Sequence, residues 1–398
     1  MPVYIDLFAG CGGLSYGLKK AGWKGLFAIE KNPDAFETLS TNLTIRKNGH
    51  FSWPSWLPKS NNDIYEVLDN FKDELINLRG HVDLVAGGPP CQGFSMAGRR
   101  IENDARNNLV DAYLDFVNYV QPKMVFFENV HGFTVPFGRG KVPYSVYVKN
   151  SLEHMGYNII SQEVDVSKLG VPQTRKRFIL VGIKSIDPTD FFNNLFTHSQ
   201  SFLHRRGLRE VVTISSAIGD LEKRNGTYID ETFKGFEFGC YGQVTSNYQK
   251  YMRKGVNNNP DSHRFANHKT ETIELFEYLQ TLSDEKLRMT PSKDPLHRLK
   301  KRNVTILNSD CICGTVTSIP DDYIHYSEPR IMTVREMARI QSFPDSYIFK
   351  GKYTTGGECR KKDVPRYTQI ANAVPPLFAE QVGIQLIQLL EGRMSCKN

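Results

Sequence analysis

The chain has 398 residues, 40% hydrophobic and 23% charged, with a formal net charge of +7. That length exceeds one comfortable core and points to two domains of a soluble globular protein. No apolar run approaches the roughly 20 residues that span a bilayer, so no membrane partner is expected. Seven scattered cysteines, an odd number, argue for a reducing cytoplasmic setting without structural disulfides. Motif material from Tyr4 onward is expected to leave no room for a signal or transit peptide.

Taken in chain order, residues 3–8 read as a short buried strand. A glycine-rich turn (Gly10, Cys11, Gly12, Gly13) follows and opens a helix over 13–21. Glycines there let a backbone approach a ligand closely and present amide donors at a helix N-terminus. A second strand over 26–30 ends in Glu30, where doubly wound folds place the carboxylate that accepts ribose hydroxyls. The turn lacks the Gly-x-Gly-x-x-Gly spacing of a pyrophosphate site, so a nucleoside-bearing cofactor without pyrophosphate fits better than NAD. A helix over 33–41 and an extended polar loop over 46–62, carrying Trp53 and Trp56, come next.

A strand over 82–87 runs into Pro89-Pro90-Cys91-Gln92-Gly93-Phe94-Ser95. Two glycines and two prolines fix the backbone at the strand end, where α/β enzymes hold their chemistry, so Cys91 is a candidate nucleophile. Residues 93–108, with Gly98 as a hinge and Arg99, Arg100 and Arg106 as phosphate donors, read as a mobile loop. A helix over 109–120 leads to a strand over 124–128 ending in Glu128-Asn129-Val130. Strands over 157–164 and 178–183 follow, the second entered through Gln173-Thr174-Arg175-Lys176-Arg177. This alternation is the βα pattern of an open parallel sheet.

From about residue 185 the rhythm fails, and 185–325 is rich in Asn, Ser, Lys and Gly. Two basic clusters lie in it, one with Arg205, Arg206 and Arg209, the other running through Lys300, Lys301 and Arg302. Both suit a polyanionic partner. Regular character returns with helices over 334–341 and 376–390. Cys240, His263, His268, Cys311 and Cys313 match no common zinc spacing, so no metal is expected.

Pro-Pro-Cys-Gln, Glu-Asn-Val, Gln-x-Arg-x-Arg, the block Thr333-Val334-Arg335-Glu336-Met337-Ala338-Arg339-Ile340-Gln341 and the block Gln369-Ile370-Ala371-Asn372-Ala373-Val374-Pro375-Pro376 occur in one order and spacing. As a set they resemble the DNA (cytosine-5)-methyltransferases of bacterial or phage type, over all of the chain except about 185–305. The resemblance implies a Rossmann-like S-adenosylmethionine-dependent methyltransferase sheet with a second, smaller target-recognition domain. The catalytic domain would comprise 1–184 plus 326–398 and the recognition domain 185–325. It implies methyl transfer to C5 of a flipped-out cytosine in duplex DNA, with S-adenosylhomocysteine as product. Cys91 would add to C6, and Glu128 would relieve the charge that builds at N3. Asn129 would position the cysteine loop, Arg177 would contact O2, and Arg175 would brace the loop or a phosphate.

By the same resemblance Phe8 would lie against adenine, with Gly10, Cys11, Gly12 and Gly13 along the methionine portion and Glu30 on the ribose. Asp63 would read the adenine amine, and Ile64, Pro90, Leu109, Asn372 and Val374 would complete the pocket. Gln92, Ser95, Arg99, Arg100, Arg106, Lys300, Lys301 and Arg302 would face DNA. The chain departs from the family pattern at Ala371, where relatives usually carry Gly, and at Ala97, where a relative has a serine that fills the gap left by the flipped base. The expected partners are duplex DNA and a cognate restriction endonuclease, the expected state a monomer. Two alternatives are a tRNA cytosine-5 methylase on the same scaffold, disfavoured by Gly93-Phe94-Ser95, and a silent DNA-binding regulator, disfavoured by the intact Cys91, Glu128, Arg175 and Arg177.

Overall fold

The computed structural model describes residues 1–45, 49–90, 108–136, 142–281, 288–289, 304–355 and 363–392. It divides into two compact units, one of Met1–Leu169, Arg175–Phe202 and Val374–Asn398, the other of Gly170–Thr174 and Leu203–Ala373. The sequence rhythm places its boundaries at 184/185 and 325/326. The compact units divide differently: Gly170–Thr174 groups with the second unit, the next break falls inside the helix Phe191–Arg205, and residues 326–373 group with the second unit.

The first unit is built on six strands: β1 (Val3–Leu7), β2 (Lys24–Ile29), β3 (Leu84–Gly87), β4 (Met124–Val130), β5 (Asn158–Asp165) and β6 (Lys176–Ile183). Their order is β2-β1-β3-β4-β6-β5. The helices are α1 (Gly13–Ala21), α2 (Pro33–Leu43), α3 (Ile64–Asn70), α4 (Lys72–Asn77), α5 (Asn108–Val120) and α6 (Tyr144–His154). β1 to β4 are parallel, and β3 is buried along its whole length, as expected of strands covered on both faces. The sheet is not wholly parallel, however. β6 lies antiparallel between β4 and β5. A parallel crossover needs a dozen or more residues, and the short link 166–175 allows only an antiparallel return.

Strand order reverses between β1 and β3, because β2 lies on one side of β1 and β3 on the other. Connections leaving those two strands diverge, which opens the crevice where doubly wound sheets bind ligands. Register sharpens this point. Leu7 pairs with Ile29 and with Gly87, and Gly87 pairs with Phe127. Phe8, Glu30, Gly88 and Glu128 therefore form one row across four adjacent strands.

The C-terminal helix Pro376–Leu390 packs on α1 at a distance that glycine permits. A Cβ on Gly17 would come within 2.3 Å of the Ala379 Cβ, and one on Gly383 within 2.7 Å of the Ala21 Cβ. The Trp23 indole N–H donates to the Gly383 carbonyl at 2.9 Å, locking the pair. Trp53 and Trp56, expected in a polar loop, instead pack on Phe27 with ring centroids 6.3 and 5.6 Å away. Their indoles seal the edge of the sheet core, a burial that outweighs the polar residues around them.

The second unit carries the helices Ile214–Ile218, Asn247–Met252, Thr270–Thr281, Val334–Ile340 and Arg366–Asn372. It also holds a three-stranded sheet (Arg288–Met289, Val304–Ile306, Tyr323–Ile324) and a two-stranded one (Thr227–Ile229, Glu237–Gly239). At its centre, Arg339 is wholly buried and donates to Asp220 at 2.6 Å and to Asp345 at 2.7 Å. Glu336 completes a capping box with Thr333 and accepts both guanidinium arms of Arg330, at 2.8 and 2.7 Å.

Candidate active site

The turn after β1 is held in a backbone conformation that few residues adopt. Phe8, Gly10 and Gly12 have φ of 57°, 55° and 88°. Such values cost a side-chain-bearing residue energy, so Phe8 is held there by its surroundings. A Cβ built on Gly10 would meet nothing within 4 Å, so the turn faces open space. Gly12 is the N-cap of α1 and leaves the first amides of that helix facing the same turn. Cys11 points the other way. Its side chain is fully buried, and burial followed by the nearby Glu30 charge pushes the thiol far up.

Glu30 is fixed through both carboxylate oxygens, which accept from Gly10 N at 2.8 Å and Asn32 N at 2.7 Å. Burial raises its pKa, and the amides of Asn32, Gly10 and Lys31 oppose the rise. A carboxylate offers about four lone-pair sites, so at least one remains for a ligand. The Glu30 carbonyl accepts from Asn62 N at 2.9 Å and docks the segment before Asp63 beside it. Asp63 caps α3 by accepting from Tyr65 N at 3.1 Å, and it pairs with Lys31 at 2.7 Å. Ile64 is buried in the core, and Leu109 packs against it from α5.

At the end of β3, Pro89 and Pro90 lead to Cys91. Asn129 reaches across from β4, its amide donating to the Pro89 carbonyl at 3.2 Å while its own oxygen accepts from Val130 N. The neighbouring Glu128 accepts from Arg177 Nε at 3.0 Å, and both side chains are mostly covered. The antiparallel register explains the pair: Val130 faces Arg177 across the ladder, and Glu128 lies two residues back on the same face. A Cβ on Gly88 would lie 2.9 Å from the Glu128 carboxylate, so glycine there keeps the acid in place.

Arg175 stands just before β6 and is buried, its amide and carbonyl bonded to Asp165 and Val166, whereas Arg177 lies within the strand. Asn372 ends a helix of the second unit, exposed, whereas Val374 belongs to the first unit just before the C-terminal helix. Cys91, Gln92, Ser95, Arg99, Arg100, Arg106, Lys300, Lys301 and Arg302 lie outside the described residues. Sequence reasoning passes over Asp6 of β1 and Ser15 of α1, which hydrogen-bond to each other. The one available signal is an acid inside an otherwise apolar strand.

The model of the C-5 cytosine-specific DNA methylase family matches residues 3–388. The chain belongs to that family. It is therefore a DNA (cytosine-5-)-methyltransferase. It is 31% identical to the type II methyltransferase M.DdeI of Desulfomicrobium norvegicum over 94% of its own length and 86% of that protein's. It is 28% identical to M1.HphI of Haemophilus parahaemolyticus, over 97% and 87%. An E. coli crystal structure, described as a prophage-encoded DNA modification methyltransferase, superposes with a TM-score of 0.65 at 22% identity, covering 98% of this chain and 100% of the other. The S. pombe Dnmt2 methyltransferase superposes at 0.56 with 15% identity, over 98% and 99%. These last two share the fold, the Rossmann-like sheet of the methylases.

Within a methylase the row of strand ends has two halves. Phe8, Gly10, Gly12 and Glu30 surround the switch point between β1 and β3. Glu128, Asn129 and Arg177 sit one strand further along, around the start of the cysteine loop. Among the described residues no group of three or more His, Cys, Asp or Glu could hold a metal ion.

Proposed function

We propose that this methylase modifies C5 of a cytosine flipped out of one specific duplex sequence, through a covalent bond between Cys91 and C6. S-Adenosylmethionine is the methyl donor in this reading, and it supplies an electrophilic methyl group when bound. The observation that carries the proposal is the row of Phe8, Glu30, Gly88 and Glu128 across four adjacent strands, with Pro89-Pro90-Cys91 leaving the third. The residues around the turn suit the donor chemically. The open face of Gly10 gives space, Phe8 gives an aromatic surface for adenine, and Glu30 retains lone-pair capacity for a ribose hydroxyl. Asp63 and Ile64 stand beside Glu30, and Pro90, Leu109, Asn372 and Val374 are assigned the rest of the pocket.

Cytosine C5 is too weak a nucleophile to act unaided. The Cys91 thiolate adds to C6, and the displaced electron pair moves through the ring to make C5 nucleophilic. Glu128 gives N3 a proton or a strong hydrogen bond as charge builds there, and it holds the exocyclic amine. Arg177 contacts O2 and keeps Glu128 aligned, while Asn129 keeps the cysteine loop on its strand. Once C5 carries its methyl group, loss of the C5 proton returns an electron pair to the ring and expels the thiolate. Extruding the base costs a few kcal/mol, and residues 93–108, with Arg99, Arg100 and Arg106, are assigned to closing over it.

The names of the relatives as type II methyltransferases support a modification role beside a cognate endonuclease. Target reading is assigned to the second unit, with Lys300, Lys301 and Arg302 on phosphates. Mapping modified bases in DNA from cells that express the chain tests the proposal. It predicts 5-methylcytosine at one short duplex motif. Modified cytosine confined to tRNA, or none at all, would overturn it.

A further inference from the structure

Arg264 lies in the second unit, beside the two-stranded sheet. The segment around it extends that sheet: Phe238 pairs with Arg264, and the Gly239 and Phe265 amides donate to the carbonyls of His263 and Glu237, each at 2.9 Å. The guanidinium carbon stands 4.0 Å from the centre of the Phe236 ring and 3.8 Å from that of Tyr353. Two rings thus fix the plane of the cation. Its donors, however, are unused. Nε is buried without a partner, and among the described residues no acid or carbonyl pairs with the two Nη groups, the accessible part of a half-buried side chain. Arg253, Arg330, Arg335 and Arg339 of the same unit each pair with an acid. Arg366, which shares the Tyr353 ring at 4.2 Å, donates to the Gly351 carbonyl and the Ser262 hydroxyl. Arg264 is therefore held rigid for an acceptor that lies outside the chain.

We propose that Arg264 is a specificity-determining residue that reads one guanine of the target duplex through its major-groove edge. The inference rests on the reading that the second unit recognises duplex DNA. With Nε closed off, the remaining donors are the paired Nη groups, which lie side by side in the fixed plane. Guanine presents two acceptors, O6 and N7, in the plane of its base pair, and arginine to guanine is the commonest specific base contact. A mobile side chain reaches a phosphate from many directions, whereas a base edge is met only in its own plane. Fixing the plane between two rings therefore favours the base. The sheet that carries Arg264 suits this task as well. A two-stranded ribbon is narrow enough to enter the major groove, and its outer strand Thr227–Ile229 is open to solvent, with Ile229 64% exposed.

The test uses the full chain and the duplex motif mapped in cells, with each guanine in turn replaced by 7-deazaguanine, which keeps the base pair and removes only the N7 acceptor. In the wild type at least one position should lower kcat/KM for methyl transfer several-fold. Arg264→Met, which keeps the stacking but not the donors, should lower kcat/KM on the unmodified motif roughly 10- to 100-fold, the worth of one bidentate base contact. The same 7-deazaguanine should cost that variant nothing further, and other base pairs should be accepted at that position. A wild type indifferent to 7-deazaguanine at every position would overturn the proposal without any variant needing to fold. So would an Arg264→Met enzyme that still rejects the same base changes. Weakening alike on all sequences, with the salt slope reduced by about 0.9 log units, would also overturn it, because that marks a phosphate contact. Absence of any methylated duplex motif would instead overturn the reading of the chain as a duplex DNA methylase.

Discussion

The strand ends of the first unit and the helix Val334–Ile340 of the second are both rich in charge, and they use it in opposite ways. Arg335, Glu336, Arg339 and Gln341 are wholly buried and satisfied from within their own unit. Arg339 bridges Asp220 and Asp345, Arg335 donates to the Tyr347 carbonyl at 2.7 Å, and Gln341 donates to the carbonyls of Ile370 and Ala373. Around the glycine turn Glu30 keeps lone-pair capacity unused, and among the described residues no cation pairs with it. A block of residues can thus identify a family while serving only to hold its fold. What marks chemistry is polarity left incomplete beside open space.

Substitutions can break that contrast. The largest effect on turnover is expected from Glu128→Gln, which keeps the shape but removes the acid. The methyl-transfer rate should fall by roughly 10²- to 10⁴-fold, the range of general acid catalysis, with the melting temperature unchanged. A variant that keeps full rate would remove Glu128 from the chemistry. Arg339→Met should act the other way round, leaving Asp220 and Asp345 buried without their cation. Unfolding free energy should fall by about 3–5 kcal/mol, as read by denaturant titration, with activity declining only as the fold does. Stability close to wild type would show that the buried network is dispensable.

Smaller effects sharpen the picture. Glu30→Ala should weaken binding of S-adenosylmethionine by about 1–3 kcal/mol, the worth of hydrogen bonds to a charged group, in a protein that unfolds at nearly the wild-type midpoint. Unchanged affinity by calorimetry would make Glu30 a scaffold residue like Glu336. Neutralising Lys300, Lys301 and Arg302 together should lower DNA affinity similarly across sequences. It should also flatten the salt dependence by up to about 0.9 log units for each phosphate no longer neutralised. A weakening confined to one sequence would point to base reading instead.

Much of the first unit is legible in the sequence because its signals are local. Apolar runs ending in Phe8, Glu30, Gly88 and Glu128 mark the strands, and glycines at Gly10 and Gly12 mark a turn that needs positive φ. The antiparallel β6 escapes such a reading because apolar strands look alike in either direction, and only the short link 166–175 betrays it. Trp53 and Trp56 take a polar character from their neighbours in sequence, yet the aromatic packing that holds them joins residues far apart, such as Phe27 and Phe71. Asp6 and Ser15 form a pair that only the fold brings together.

The central claim is that Cys91 bonds to cytosine C6 during transfer. A duplex carrying 5-fluorocytosine at the target, incubated with the protein and S-adenosylmethionine, tests it most directly, because fluorine cannot leave C5 as a proton does. A denaturation-resistant complex is predicted, with peptide mass spectrometry placing the modified nucleotide on Cys91, and none is predicted for Cys91→Ala. Methylation of ordinary DNA by Cys91→Ala at the wild-type rate, or an adduct on another residue, would contradict the account.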